Sequence, residues 1–335
     1  MIKKVLITGV SGMVGSHLAD LLLSETNWQI FGMARWRSPL DNIAHLSKEI
    51  NNNGRVKLVY GDLSDDISIR KVVRGVAPDY VFHLAAQSFP QTSFTAPIQT
   101  FDTNISGTYR LLDSVYEFAP KAKIHICSSS EVFGRVPKEF VPIKESTPFH
   151  PASPYAISKV GTDLIGTFFS QAYGLNIFVT RMFTHTGPRR GDVFAESSFA
   201  KQIALAEIGA IPPIIKVGNL KSVRTFADVR DAVRAYYVAM TTDFPSGSIF
   251  NIGGNHSCTV EEMLNFLISL STLKSIDIEP DVDRIRPIDA DLQIPDTSKF
   301  KTLTGWQPTI TFEKSMIDLL DYWRLKVRNS SAIQR

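Results

Sequence analysis

The sequence predicts an α/β protein with a doubly wound parallel sheet and a smaller C-terminal α/β substrate-binding subdomain. Three observations carry that expectation. Short apolar runs alternate with helix-period segments through the first half, the pattern of strands joined by crossover helices. The first run, Val5-Leu6-Ile7, leads directly into Thr8-Gly9-Val10-Ser11-Gly12-Met13-Val14-Gly15, a glycine turn between strand and helix. A second cluster, Ser128-Ser129-Ser130-Glu131 followed by Tyr155-Ala156-Ile157-Ser158-Lys159, also falls at a strand end and a helix start. Open parallel sheets bind ligands at the carboxyl ends of their strands, where both clusters are expected.

Taken in order, residues 2–8 read as a strand. Residues 13–24 place Val14, Leu18, Leu21 and Leu22 at helical spacing. Strands follow at 29–34, 56–60 and 80–84, a helix at 103–118 and a fifth strand at 123–128. Ser153-Pro154 is a helix start, with Ser as N-cap and Pro in the first position; that helix runs to about Tyr173. A strand covers 176–181. The second half is less regular, with helices expected at 195–208, 227–241, 259–271 and 312–328, strands near 214–217 and 248–252, and Arg284-Ile285-Arg286-Pro287 in a loop. No linker separates the halves. Residues 1–180 are expected to form one domain, with later strands contributed from beyond it, and residues 181–330 an interleaved substrate-binding subdomain.

Composition excludes several classes. The chain has 335 residues, 44% hydrophobic and 21% charged, with a net charge of +3. Those values suit a globular protein and argue against a nucleic-acid binder that neutralises many phosphates. No apolar stretch is long enough to span a bilayer. The apolar core after Met1 is too short for a signal peptide, because the glycine turn follows at once. Two cysteines, Cys127 and Cys258, make no disulfide framework, and a reducing cytoplasm fits. Cys127 reads as a buried small residue, and a single bridge to Cys258 stays open. No metal is expected.

Gly9, Gly12 and Gly15 have the spacing that a Rossmann-type dinucleotide site demands: a tight turn, close approach of the backbone to a pyrophosphate, and close helix–strand packing. The phosphate would meet free amides at a helix N-terminus; Ser11, Met13 and Val14 belong to the same turn. At the end of the second strand stand Arg35 and Arg37, where an acidic residue would favour NAD. Two guanidinium groups suit a 2′-phosphate, so NADP is expected, with NAD the weaker fit. Alternatively one Arg stacks on adenine and the other is solvated. Asp62 and Leu63 suit an adenine contact, and Leu84, Ala85 and Ala86 offer small residues where the cofactor passes.

Tyr155 and Lys159 are one helical turn apart and face the same way. An ammonium near a phenol favours the phenolate, which makes Tyr155 a usable base; Lys159 can also hold the nicotinamide ribose. These residues, with Ser129 and the glycine turn, resemble the extended short-chain dehydrogenase/reductase family. The resemblance runs over essentially the whole chain and includes Gly305-Trp306-Gln307-Pro308, similar to a turn of its nucleotide-sugar members.

Within that family Ser129-Ser130-Glu131 resembles the Thr-Asp-Glu segment of nucleotide-sugar 4,6-dehydratases, with Ser129 in place of Thr. By that resemblance Glu131 would take the C5 proton and help expel the C6 hydroxyl as water. Segments 181–191, 218–226 and 286–291 are most similar to the GDP-mannose 4,6-dehydratase branch. This implies a GDP-sugar, a GDP-hexose or heptose, held by Gln87, Ser88, Ser130, Glu131, Thr184, Asn219, Arg224, Arg286 and Asp289. Arg224 and Arg286 would grip the pyrophosphate and Asp289 the ribose. The alternative is that each Arg pairs with a local carboxylate such as Asp228 or Asp283. His185 and Arg190 would face the cofactor. Three positions depart from the branch: Thr184 for Asn, Thr225-Phe226 for Asp-Trp, and Asn104 for Asp. They keep a GDP-sugar 4-reductase or 4-dehydrogenase open as the alternative activity. Association into a homodimer or homotetramer is implied, through helices near 103–118 and 154–173.

Overall fold

The structure is a computed structural model that describes residues 2–52, 54–285, 287–288 and 290–333, with side chains to residue 329. Its centre is a seven-stranded parallel sheet. In chain order its first six strands are β1 (Lys4–Thr8), β2 (Gln29–Ala34), β3 (Val56–Tyr60), β4 (Tyr80–His83), β5 (Lys123–Cys127) and β6 (Asn176–Met182). The spatial order is Ser248–Ile252, β6, β5, β4, β1, β2, β3. The chain moves outward from β1 through β2 to β3, then crosses back to lay β4 on the other side of β1. The crevice between the carboxyl ends of β1 and β4 is therefore the topological switch point, and there Thr8 pairs with His83.

Both sheet faces are covered, which is why the inner strands read as continuous apolar runs. Side chains alternate across β1: Val5 and Ile7 enter one core with Leu18, Leu22, Phe82 and Tyr236, while Leu6 enters the other with Ile69, Leu111, Val115 and Phe169. Helices Met13–Glu25 and Val229–Thr241 cover the first face. Asp66–Val76, Gly107–Phe118 and Pro154–Tyr173 cover the second. Helices Ala195–Glu207, Val260–Ser269 and Phe312–Ile333 share a separate core around Phe199, Met263, Leu319 and Trp323. The Ser248–Ile252 strand joins the main sheet beside β6, so the two halves of the chain interleave.

Several elements differ from the sequence expectation. The helix expected from 103 begins with a wide π turn, Asp102–Ser106, before regular α-helix at Gly107; such bulges often mark functional sites. Asp66–Val76 is an amphipathic helix capped by Asp65, whose carboxylate accepts from Ser68 N. Arg284 closes a single 3-10 turn, Val282–Arg284, rather than lying in open loop. Ser153 caps its helix as expected, accepting from Ala156 N at 3.0 Å. Both cysteines are free, and Cys127 is half-buried rather than buried, its Sγ 3.5 Å from Tyr236 Oη.

Candidate active site

The glycine turn is built by close contacts that only glycine permits. Gly9 has φ +76° and donates to Met33 O at 3.0 Å. A Cβ at Gly9 would lie 2.9 Å from Ala85 Cα, and one at Gly15 would lie 2.3 Å from Gly9 O. The helix therefore sits directly on the turn, with Gly12 as its uncapped N-terminus and no acidic residue in its first turn. That end carries partial positive charge and free amides. It opens into a cleft of about 670 Å³ whose walls include Ser11, Gly12, Arg35, Arg189 and Arg190.

The other cofactor candidates ring this turn. Arg35 and Arg37 are exposed, and Arg35 lines the cleft. Val14 packs against the core and Met13 is buried. Asp62 accepts from Ser64 N and Oγ at 3.0 and 2.8 Å, and the buried Leu63 offers its carbonyl to Arg110. Leu84 and Ala85 both donate their amides to Thr8 Oγ1 at 3.1 Å. With the half-buried Ala86, they form a strap over the switch point.

Tyr155, Ser129 and Glu131 converge at the end of β5. Ser129 lies near enough to the Tyr155 phenol to lower its pKa, and its Oγ accepts from Glu131 N at 3.2 Å. Glu131 is the second residue of a 3-10 turn, Ser130–Phe133, whose Val132 and Phe133 are fully buried. Lys159 lies on the same helix as Tyr155, one turn further on. Its ammonium donates to Cys127 O at 2.8 Å, and burial lowers its pKa. Burial pushes the Tyr155 phenol well above its ordinary value; the Ser129 hydroxyl and the charge of Arg190 pull the other way, while Cys127 and Glu131 raise it. Arg190 is a cation close enough to act on the phenol. Arg190 lies 3.4 Å over the Phe194 ring and 3.2 Å from the buried Glu196. His185 Nδ1 is 3.1 Å from Phe183 O, and burial, then Arg190, hold its pKa at about 4. It is neutral at pH 7.

Asn104, in the π turn, was marked in the sequence only as a departure. Its Oδ1 accepts from Gln87 N at 2.8 Å, and its Nδ2 donates to Gln87 O at 2.9 Å and Ser158 Oγ at 2.8 Å. It thus ties the strap to the helix that carries Tyr155 and Lys159. Sequence periodicity could not reveal this, because a π turn shifts the helical phase.

The sugar-nucleotide candidates are gathered less completely. Ser130 is buried beside Glu131, Gln87 is fixed by Asn104, and Ser88 is exposed next to it. Thr184 is half-buried, its carbonyl accepting from Ala227 N at 2.9 Å. Asn219 accepts from Lys221 N at 3.0 Å. Arg224 Nη1 donates to Val223 O at 3.1 Å and to Ala290 O, so part of its fork is directed at backbone rather than toward the cleft. Asp228 is taken by Arg230, at 2.7 Å. Arg286 and Asp289 lie outside the described residues.

The family profile described as GDP-mannose 4,6 dehydratase matches residues 6–319. GDP-mannose 4,6 dehydratase 1 of Arabidopsis thaliana is 32% identical over 328 residues, covering 95% of this chain and 89% of that protein. The Homo sapiens GDP-mannose 4,6 dehydratase is 30% identical over 337 residues, covering 94% and 90%. Among solved structures, RMD from Pseudomonas aeruginosa complexed with NADPH superposes with a TM-score of 0.81 at 26% identity, covering 97% and 99% of the two chains. DesIV, a dTDP-glucose 4,6-dehydratase from Streptomyces venezuelae with NAD and TYD bound, shares the fold at a TM-score of 0.84 and 24% identity, covering 96% and 97%. On the extent of the profile match, together with the near full-length likeness to the plant and human enzymes, the chain belongs to the GDP-mannose 4,6-dehydratase family.

Proposed function

We propose that the protein is a GDP-mannose 4,6-dehydratase, acting on GDP-mannose or a related GDP-hexose or heptose, with NADP as a recycled cofactor. The observation that carries this reading is the placement of Glu131. Its amide donates to Ser129 Oγ at 3.2 Å, and both residues act on the pKa of the Tyr155 phenol. A carboxylate beside an alcohol-oxidising phenol is what a dehydration needs in addition to a redox step.

When bound, the nicotinamide supplies a hydride acceptor and donor. The chain's own residues do the rest. Tyr155 takes the C4 hydroxyl proton, aided by Ser129 and by the charges of Lys159 and Arg190, while the C4 hydride would pass to the bound nicotinamide. The resulting C4 ketone acidifies the C5 proton, which Glu131 removes as general base. The C6 hydroxyl leaves as water, taking a proton from the Glu131 carboxyl as the C5–C6 double bond forms; C6 would then take back the hydride that the bound cofactor stores, and C5 a proton. Atoms balance to loss of one water, with no net change in the cofactor.

NADP is favoured over NAD by Arg35 in the cleft and Arg37 beside it, with no carboxylate at the end of β2. A homodimer or homotetramer is favoured by an exposed aromatic and aliphatic surface on two adjacent helices, with Tyr109, Tyr116, Leu164 and Phe168 all more than 40% exposed. Two free thiols favour a reducing cytoplasm. Among the described residues no helix is long and apolar enough to cross a membrane. We place the cofactor in residues 1–180 and the sugar nucleotide mainly in 181–330. The test is turnover of GDP-mannose with either cofactor added, followed by reduced-nicotinamide absorbance. A dehydratase gives product with no net absorbance change; steady net oxidation or reduction would instead mark a 4-reductase or 4-dehydrogenase.

A further inference from the structure

We propose that His83 is a positioning residue for the cofactor: a neutral imidazole of fixed tautomer that orients Thr8 toward the Leu84–Ala85 strap. His83 ends β4 at the switch point, opposite Thr8 on β1. It is 4% exposed and touches two hydroxyls, Thr8 Oγ1 at 2.9 Å from Nδ1 and Thr108 Oγ1 at 3.0 Å from Nε2.

Donor and acceptor accounting fixes every proton in this chain of bonds. Thr8 Oγ1 already accepts from the amides of Leu84 and Ala85. Both of its lone pairs are then occupied, so its one proton points at His83 Nδ1, which accepts. Thr108 gives its own proton to Asn104 O at 2.6 Å, so its oxygen accepts from His83 Nε2–H. Only the neutral imidazole protonated at Nε2 satisfies both ends. Burial agrees, holding the imidazole pKa at about 3, with the charge of Lys159 acting in the same direction. The strap is also the surface against which Gly9 packs, leaving no space for a Cβ. A displacement of Leu84 and Ala85 is therefore transmitted to the glycine turn.

The two nitrogens have separable effects. The Nδ1 end acts on Thr8 and the strap, hence on cofactor affinity. The Nε2 end acts on Thr108 and the π turn. Asn at position 83 carries an oxygen near the Nδ1 position and keeps the acceptor for Thr8. Gln carries its amide nitrogen near the Nε2 position and keeps only the donor for Thr108.

This inference rests on the reading that the cleft takes a nicotinamide dinucleotide, not on the identity of the sugar. The experiment is fluorescence titration of the full-length wild type, His83→Asn, His83→Gln and His83→Phe with NADPH, alongside thermal unfolding. We expect His83→Asn to bind within about threefold of wild type and His83→Gln to bind about tenfold more weakly. His83→Phe should be at least as weak as His83→Gln. A role confined to stability would lower the melting temperatures without ordering the affinities in this way. Equal affinity of the Asn and Gln variants overturns the proposal, as does wild-type affinity in His83→Phe. Should His83→Phe fail to fold, the Asn and Gln pair decides alone. A wild-type protein that binds neither NADPH nor NADH overturns the cofactor reading as well; binding by wild type with no ordering among the variants overturns only the role of His83.

Discussion

Replacing Glu131 by Gln tests the dehydration step with little disturbance of the fold. The backbone of this turn is held without the carboxylate: Glu131 N donates to Ser129 Oγ at 3.2 Å, and Glu131 O accepts from Gly134 N at 3.1 Å. Val132 and Phe133 anchor it in the core, and Gly134 turns back at φ +53° beneath His150 O. Gln has the same shape, so stability should change by less than about 0.5 kcal/mol. A positioned general base contributes about 10²–10⁴-fold, so the dehydration barrier should rise by roughly 3–5 kcal/mol. Oxidation at C4 uses Ser129 and Tyr155 and should survive. Because the Glu131 charge raises the Tyr155 phenol pKa, its removal should shift the pH midpoint of the oxidation downward. Stopped-flow absorbance with GDP-mannose should show reduced cofactor that accumulates in the variant and decays in wild type. Dehydration by the variant within about threefold of wild type would refute the assignment of Glu131.

Other consequences follow from the same geometry. Arg35→Ala with Arg37→Ala should weaken NADP binding by about tenfold to a hundredfold while changing NAD binding much less, as read by parallel titrations. Glu207 is gripped by both arms of Arg324 at 2.8 Å, which, with backbone and hydroxyl donors, lowers its carboxyl pKa from 4.5 to about 2. A depressed carboxyl stabilises the fold above its unfolded pKa and loses that contribution as pH falls. Glu207→Gln should therefore cost up to about 3 kcal/mol at pH 7, a gap that narrows below about pH 4.5, measurable by urea unfolding at several pH values. Phe168 is 47% exposed on the Pro154–Tyr173 helix; Phe168→Glu should shift the protein to monomers in sedimentation velocity, whereas an unchanged sedimentation coefficient would place any interface elsewhere.

The sheet was legible in the sequence because strands buried on both faces have little freedom in composition: β2, between β1 and β3, begins and ends where its pattern predicts. The glycine turn was legible for the same kind of reason, since contacts at Gly9 and Gly15 leave no space for a Cβ. What was not legible depends on distant pairing. Asn104 becomes a tie between strap and catalytic helix only because a π turn aims its amide at Gln87 and Ser158. The spacing of Tyr155 and Lys159 puts both on one helix face, but it does not show that Cys127 O on β5 accepts from the ammonium, or that Arg190 reaches the phenol from the turn before Ala195–Glu207. Nothing local to Tyr155 announces either contact. Likewise nothing local shows that Arg224, a diphosphate ligand by the resemblance, also donates to the carbonyl of Val223 before it and to that of Ala290.

The most direct test of the account is incubation of the purified protein with GDP-mannose, NADP present only in trace amount, with products read by mass spectrometry. The account predicts many turnovers per cofactor and a sugar nucleotide lighter by one water, about 18 mass units, because the cofactor is regenerated in each cycle. A product two mass units lighter than substrate, formed only in proportion to the NADP supplied, would contradict it and mark a net oxidation at C4.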